Sequence, residues 1–170
     1  GKGKGKTTLL GGLYVKSKQN VKMEQLSVTN EGYGLLCDGS GTNVDVTECC
    51  FKKCQYSGML VNGGASVTAT RCDFMENGQF GVFCFGANTK VRLNDSTMHH
   101  NGWYGLIAND HAVVNLHGTK TAIHSNKQRG ITAIDNAKVN IHLPSQHNTS
   151  HDNVGEDRNQ ESMLGAPGSI

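Results

Sequence analysis

The chain has 170 residues, of which 22 are Gly, only 2 are Pro and 36% are hydrophobic. This length fits one domain, and the hydrophobic content is low but above the range of disordered chains. The 16 Lys and Arg nearly balance the 14 Asp and Glu, so we expect no field of one sign that would bind nucleic acid or a membrane surface. No apolar run approaches the about 18 residues that cross a membrane.

The chain is built on a repeat whose first part is a Gly followed by three mostly apolar residues. Its copies are separated by 22 to 25 residues and start at Gly12, Gly34, Gly58, Gly81, Gly105 and Gly130. Self-similarity at this period indicates a solenoid or another repeat architecture. Each apolar segment has the length of a short strand and is too short for a helix.

A second segment follows each Gly segment and alternates apolar, polar and apolar residues. Its copies start at Val21, Val44, Val67, Val91, Val114 and Val139. Alternation with period 2 predicts a strand with one buried face. A third apolar pair comes next, for example Cys49 with Phe51 and Cys72 with Phe74, so each repeat is predicted to contain three short strands.

An Asn column marks one corner of the repeat. Four places before the last five of these Gly residues the chain has Asn30, Cys54, Asn77, Asn101 and Asn126. Asn tolerates left-handed turn conformations, and Asn side chains stacked about 4.8 Å apart can hydrogen-bond to one another. We therefore predict an all-β fold, a single right-handed parallel β-helix of about six to seven rungs with three strands per rung and an Asn ladder.

The run Asn-x-x-x-Gly-(Ile/Leu/Val)-x-(Ala/Cys/Val), with the Val-x-aliphatic strand, resembles the parallel β-helix repeat of the pectin-lyase-like superfamily over residues 7–143. That superfamily includes pectate lyases, polygalacturonases, mannuronan epimerases and phage tailspikes. It also includes non-catalytic members, such as the substrate-binding β-helix of an F-box ubiquitin-ligase adaptor. The chain resembles the non-catalytic members more, because it lacks the Asp-Pro-His-Glu run of the epimerases and the Gly-His-Gly motif of the polygalacturonases.

The pattern divides the chain at residue 143. Residues 1–143 are predicted to form the β-helix, and because the repeat begins in mid-rung we expect an N-terminal rung and cap to precede it. Leu143-Pro144 interrupts the pattern, and the polar stretch that follows is expected to form a C-terminal cap or a partly disordered tail over residues 144–170.

The six cysteines fall in columns of the repeat rather than in a metal-binding pattern. Cys37 and Cys84 occupy core positions, where Cys behaves as a small hydrophobic residue. Cys49 and Cys72 lie on adjacent rungs, within disulfide reach. Cysteines that remain thiols favour a reducing, cytoplasmic compartment, whereas two glycosylation sequons would apply to a secreted protein, so the compartment stays open.

All eight His lie between residues 99 and 151. Aligning the rungs places His117 over His142 and His99 over His124. Stacked imidazoles can share a metal ion or repel each other once protonated, and the alternative is ordinary polar decoration of a solvated face. We predict no metal site, and His117 and His142 are the residues to which one would be assigned.

A carbohydrate-active alternative would use the outer face of the Val strand. Its candidate catalytic residues are Asp45, Arg92 and His117. The resemblance implies that a lyase would use calcium and a basic residue, and a hydrolase would need two carboxylates about 5 to 9.5 Å apart. Asp45 is the only Asp on that face and Arg92 lies two rungs away, so the pattern leans against an enzyme. No cofactor is predicted, and calcium enters only with the lyase-like alternative.

The most informative surface feature lies in the Gly strands, whose middle residue should face solvent and yet is mostly apolar. With the aromatic residues that precede the Gly, and with Phe85 two places after a middle residue, it defines the apolar stripe, which consists of Tyr14, Leu36, Leu60, Phe83, Phe85, Ile107, Tyr33, Phe80, Trp103 and Tyr104. Six rungs make it about 24 Å long, and an exposed apolar patch of that extent normally marks a contact surface.

We therefore predict a non-catalytic binding or assembly module that contacts a protein partner, or a second copy of itself, through the apolar stripe. A polysaccharide that stacks on the aromatic rings, bound or modified as a substrate, is the alternative partner. Two structural alternatives also stay open at this point, namely that these strands are turned the other way or that a terminal segment covers the stripe.

Overall fold

The computed structural model describes residues 6–160, and within that range the chain forms twenty short strands and no helix. The first five residues of the predicted β-helix and the last ten of the predicted cap or tail lie outside the described residues. No helix in the described range is long and apolar enough to cross a membrane.

The strands form three parallel sheets. Sheet 1 contains β1 (Thr8–Leu10), β4 (Ser27–Thr29), β7 (Cys50–Lys52), β10 (Asp73–Met75), β13 (Thr97–His99), β16 (Ala122–His124) and β19 (Ser150–His151). Sheet 2 contains β2 (Leu13–Lys16), β5 (Leu35–Asp38), β8 (Met59–Asn62), β11 (Val82–Phe85), β14 (Leu106–Asn109), β17 (Ile131–Ala133) and β20 (Arg158–Gln160). Sheet 3 contains β3 (Val21–Glu24), β6 (Asn43–Thr47), β9 (Ser66–Thr70), β12 (Lys90–Asn94), β15 (Val113–His117) and β18 (Lys138–Ile141).

Each strand pairs with the strand three places later in the chain, so the described chain winds through six full turns, and β19 and β20 begin a seventh. Consecutive strands belong to different sheets, which is the course of a parallel β-helix. The predicted all-β solenoid of six to seven rungs is confirmed. Two strands lie beyond residue 143, so the segment predicted as a cap or tail contributes strands that pair with the preceding rung.

The repeating Gly is required by close packing between rungs rather than by a left-handed backbone. A Cβ atom placed on Gly81 would lie 2.6 Å from the carbonyl oxygen of Gly105 and 3.0 Å from Nδ2 of Asn101. Contacts this short do not occur at real Cβ atoms, so only Gly lets the chain pass so near the next rung. This explains why Gly returns once per turn.

The core is a set of ladders of like residues inside the three sheets. In sheet 3, it contains the fully or nearly fully buried Val44, Val67, Val91, Val114 and Val139. In sheet 1, the rings of Phe51 and Phe74 stack with centroids 5.3 Å apart and planes inclined by 7°. All six cysteines are buried thiols. Cys49 and Cys72, which were predicted to lie within disulfide reach of each other, therefore do not form a disulfide.

The Asn ladder is confirmed for Asn77, Asn101 and Asn126 and extends to Asn153, whereas Nδ2 of the predicted member Asn30 donates instead to the carbonyl oxygen of Tyr33. Oδ1 of Asn101 accepts hydrogen bonds from the backbone N–H of Asn77 (3.1 Å) and from its Nδ2 (3.0 Å), and Asn126 and Asn153 repeat this pattern on the next two rungs. Cys54 interrupts the column, although its N–H still donates to Oδ1 of Asn77 at 3.0 Å. The ladder therefore joins four consecutive rungs at one corner.

Candidate binding surface

The middle residues of the Gly strands, which are half of the apolar stripe, form one straight column on sheet 2. Parallel pairing aligns Tyr14 with Leu36, Leu36 with Leu60, Leu60 with Phe83, and Phe83 with Ile107. The next member of the column is Thr132, which pairs with Ile107. Because the strands are in register, a position that recurs in the sequence becomes a physical row of side chains along the axis of the β-helix.

The stripe lies outside the core, but its middle is covered. Leu60 and Ile107 are only 8% and 7% exposed, and neither belongs to the cluster of core side chains. They face away from the interior and are shielded by side chains around them on the surface. The expectation of an open apolar face is therefore modified, because sheet 2 carries a second apolar layer on its outside.

A cluster of aromatic rings forms the centre of this outer layer. The ring centroid of Phe80 lies 5.3 Å from that of Phe83, 5.5 Å from that of Trp103 and 5.6 Å from that of Tyr104. Phe83 also contacts Phe85, with centroids 6.1 Å apart. Tilted and edge-to-face arrangements at these distances are favourable, so the rings hold one another in place as a preformed surface.

Four aromatic side chains on this face remain open to solvent. Tyr14 is 59% exposed, Trp103 is 45% exposed, and Phe85 and Tyr56 are each 40% exposed. Tyr56, which lies beside the stripe and is not one of its predicted members, contacts Tyr33 with ring centroids 5.3 Å apart. Its position could be found in the sequence, because it lies two places before a repeating Gly, as Trp103 does.

Polar groups border the stripe at its N-terminal end. Asp38 accepts a hydrogen bond from the hydroxyl of Tyr14 (3.1 Å) and forms an ion pair with Lys16 (2.8 Å). The hydrogen bond from Lys16 lowers the pKa of the Asp38 carboxyl and, reciprocally, raises the pKa of the Lys16 ammonium. A shallow depression of about 340 Å³ lies next to this pair and is lined by Tyr14, Tyr33 and Leu36.

The catalytic candidates all lie on sheet 3, where Arg92 and His117 are on adjacent strands and the acid Asp45 is farther away. Asp45 pairs with Thr68, which in turn pairs with Arg92, so two strand spacings of about 4.8 Å separate the acid from the base. Nε of Arg92 donates a hydrogen bond to Oδ1 of Asn94 at 3.1 Å. His117 lies in the neighbouring column, where Asn94 pairs with it.

The two candidate metal ligands are adjacent but lack a third. The rings of His117 and His142 stack with centroids 4.2 Å apart, and Nε2 of His142 lies 3.1 Å from Oδ1 of Asn115. Partial burial, and then the charges of Arg92 and His142, lower the pKa of His117. Within residues 6–160, no group of three or more His, Cys, Asp or Glu side chains is arranged to hold a metal ion.

The sequence profile of the family described as "Right handed beta helix region" matches residues 9–155. The chain belongs to this right-handed β-helix family. The match extends past residue 143 and includes β19, in agreement with the strands that continue there. No curated protein and no solved structure matches the chain significantly. The function of this right-handed β-helix must therefore be argued from its own surface.

Proposed function

We propose that this β-helix is a non-catalytic binding module that contacts a protein partner through the outer face of sheet 2. The observation that supports this is the sharing of one face by the exposed aromatic side chains Tyr14, Tyr56, Phe85 and Trp103. The outer face of sheet 3, by contrast, carries polar and charged residues such as Asp45 and Arg92. Aromatic side chains are enriched among the residues that dominate binding energy at interfaces.

The construction of the surface also favours binding. Phe80 and the residues around it immobilise the neighbouring rings before any partner arrives. A preformed surface loses less side-chain freedom on association, so more of the contact energy is realised as affinity. Trp103 and Phe85, which contact this cluster, remain 45% and 40% exposed, so a partner that covers them would bury further apolar area.

The size of the stripe favours an extended segment of a protein over a second copy of this chain. A strip about 24 Å long, and as wide as a four-residue strand is long (about 13 Å), covers roughly 300 Å², whereas a stable interface buries about 800 Å² on each partner. An extended segment that lies along the β-helix axis can contact every rung of the stripe. We therefore assign the surface to an apolar, aromatic-rich segment of another protein.

The test uses Trp103, the only Trp of the chain, as a reporter. Displayed 12-residue peptides are selected on the protein, and their binding is measured by the change in Trp103 fluorescence. We expect apolar peptides whose affinity falls at least tenfold in the double variant Tyr56→Ser/Phe85→Ser and is unchanged in the matched control Arg92→Ala on sheet 3. Peptides that bind the double variant as tightly as the unchanged protein would contradict the proposal. Light scattering that detects a dimer would indicate self-association instead.

A polysaccharide is the second candidate partner, favoured by the spacing of two exposed rings. Backbone hydrogen bonds place Tyr56, Gln79 and Trp103 in one column on successive rungs, so the two rings lie about 10 Å apart along the axis with an amide between them. Titrating pectate, alginate and neutral glycans, with and without calcium, against the same fluorescence signal tests this candidate. Turnover of any glycan would bring Asp45, Arg92 and His117 back into consideration.

A further inference from the structure

A stack of three histidines runs along the outer face of sheet 1 over the last three rungs. His99 is on β13, His124 on β16 and His151 on β19. Their rings are nearly parallel, with centroids 5.0 Å apart in the first pair and 5.2 Å apart in the second. A fourth ring, that of His100, packs edge-on against His99, and the Nδ1 atoms of these two residues are 2.7 Å apart.

This arrangement suits neutral imidazoles and opposes charged ones. Each ring has another imidazole at its face, so protonating neighbours brings like charges to about 5 Å. Burial lowers the pKa of His99, and the charge of His100 lowers it further. Burial also lowers the pKa of His124, followed by the effects of His99, His151 and His100.

Acidic groups around the stack oppose these effects only in part. Asp73 and Glu76, on and after β10, raise the pKa of His99, and Glu76 also forms an ion pair with Lys53 at 3.8 Å. At the other end, Asp152 raises the pKa of His124, and its Oδ2 lies 2.8 Å from Nδ1 of His151. The net shifts of His99 and His124 nevertheless remain downward.

The direction of the shifts decides how stability depends on pH. A His whose pKa is lower in the folded than in the unfolded chain binds protons more readily when unfolded. Its contribution to stability is therefore fully present above the unfolded value of 6.5 and is lost as the pH falls through and below it. All eight His follow residue 98, so the strands β1 to β12 contain no His and this effect originates in the last rungs.

We propose that the histidine stack makes the last rungs an acid-sensitive clasp, which opens below about pH 6 when protonated rings force β19 away from β16. β19 has only two residues and is held to β16 by the pairs Ile123–Ser150 and His124–His151. β19 is thus the shortest strand of sheet 1, and the His124–His151 stack lies in this contact beside the ladder bonds between Asn126 and Asn153. Opening exposes the edge of β16, while the rungs before β13 stay folded. This property is independent of the aromatic face.

Hydrogen exchange measured by mass spectrometry tests the clasp. Exchange is compared at pH 7.5 and pH 5.0, with labelling times scaled for the intrinsic effect of pH on exchange. We expect peptides from β16 to β20 to lose at least tenfold in protection at pH 5.0 and peptides from β3 to β9 to lose none. Equal loss along the chain, or no loss in β16 to β20, would overturn the proposal.

Variants assign the effect to the stack. His124→Gln removes its central ring and should abolish most of the pH-dependent loss, whereas His111→Gln, an exposed His paired with Asp110, should leave it unchanged. His117→Gln measures how much of the pH-dependent loss comes from the other stacked pair, His117 and His142 on sheet 3. Asp152→Asn keeps all the rings and removes an opposing charge, so it should enlarge the loss. A loss that persists in His124→Gln, or that shrinks in Asp152→Asn, would contradict the clasp.

Discussion

Replacing Asn101 by Ala should be among the most damaging single changes in this protein. The Asn101 side chain is fully buried and makes hydrogen bonds in both directions along the ladder. Its Oδ1 accepts from the backbone N–H and Nδ2 of Asn77, and its Nδ2 donates to the carbonyl oxygen of Phe74 (3.1 Å) and to Oδ1 of Asn126 (2.9 Å). Ala leaves the Asn77 N–H and the Phe74 carbonyl without these partners.

The magnitude follows from those two backbone groups. Leaving a buried donor or acceptor unsatisfied costs about 1–3 kcal/mol, so Asn101→Ala should lower the free energy of unfolding by about 3–6 kcal/mol once the lost side-chain bonds are included. For a domain of this size, 1 kcal/mol corresponds to about 2–4 °C in Tm. The expected shift is therefore on the order of 10 °C, a large part of the stability of an ordinary domain.

The matched control is Asn30→Ala, in the same column at the N-terminal end. The Asn30 side chain is only partly buried, and its Nδ2 donates to the carbonyl oxygen of Tyr33 at 2.7 Å. We expect a loss of no more than about 1 kcal/mol. Urea unfolding followed by circular dichroism measures both variants. If Asn101→Ala lay within about 1 kcal/mol of Asn30→Ala, the ladder would not be the source of stability that we infer.

Three further predictions follow from packing and burial. Gly81→Ala should destabilise the fold by more than about 2 kcal/mol, because its Cβ would lie 2.6 Å from the Gly105 carbonyl oxygen; an unchanged Tm would show that the rungs can separate at no cost. Phe74→Ala should cost about 3–5 kcal/mol in urea unfolding, since the ring is fully buried, and a loss below 1 kcal/mol would contradict the stacked core. Burial raises the pKa of the Cys54 thiol to about 11 and the pKa values of Cys37 and Cys84 to about 12. The six buried thiols should therefore react with a disulfide reagent at pH 8 only after denaturation, and fast labelling of the native protein would show that the core opens.

Much of the candidate surface could also be predicted from the sequence. The middle residues of the Gly strands recur at the same position of each repeat. Because the parallel strands pair in register, these residues lie above one another in the structure. The sequence could not indicate how far each member is covered. Leu60 and Ile107 are shielded while Phe85 stays 40% exposed, and such differences depend on the packing of neighbouring side chains, which the repeat pattern does not specify.

The sequence by itself determined the β-helix, its rungs and its Asn ladder, because a period of 22 to 25 residues with three apolar segments allows one in-register parallel arrangement. Only the tertiary structure decided what happens after residue 143. There Asn153 extends the ladder and His151 extends the histidine stack, although the apolar pattern has ended. The reason is physical: the open edge of the preceding rung supplies the backbone hydrogen bonds and side-chain contacts, so the next segment is ordered by its neighbour rather than by its own periodicity.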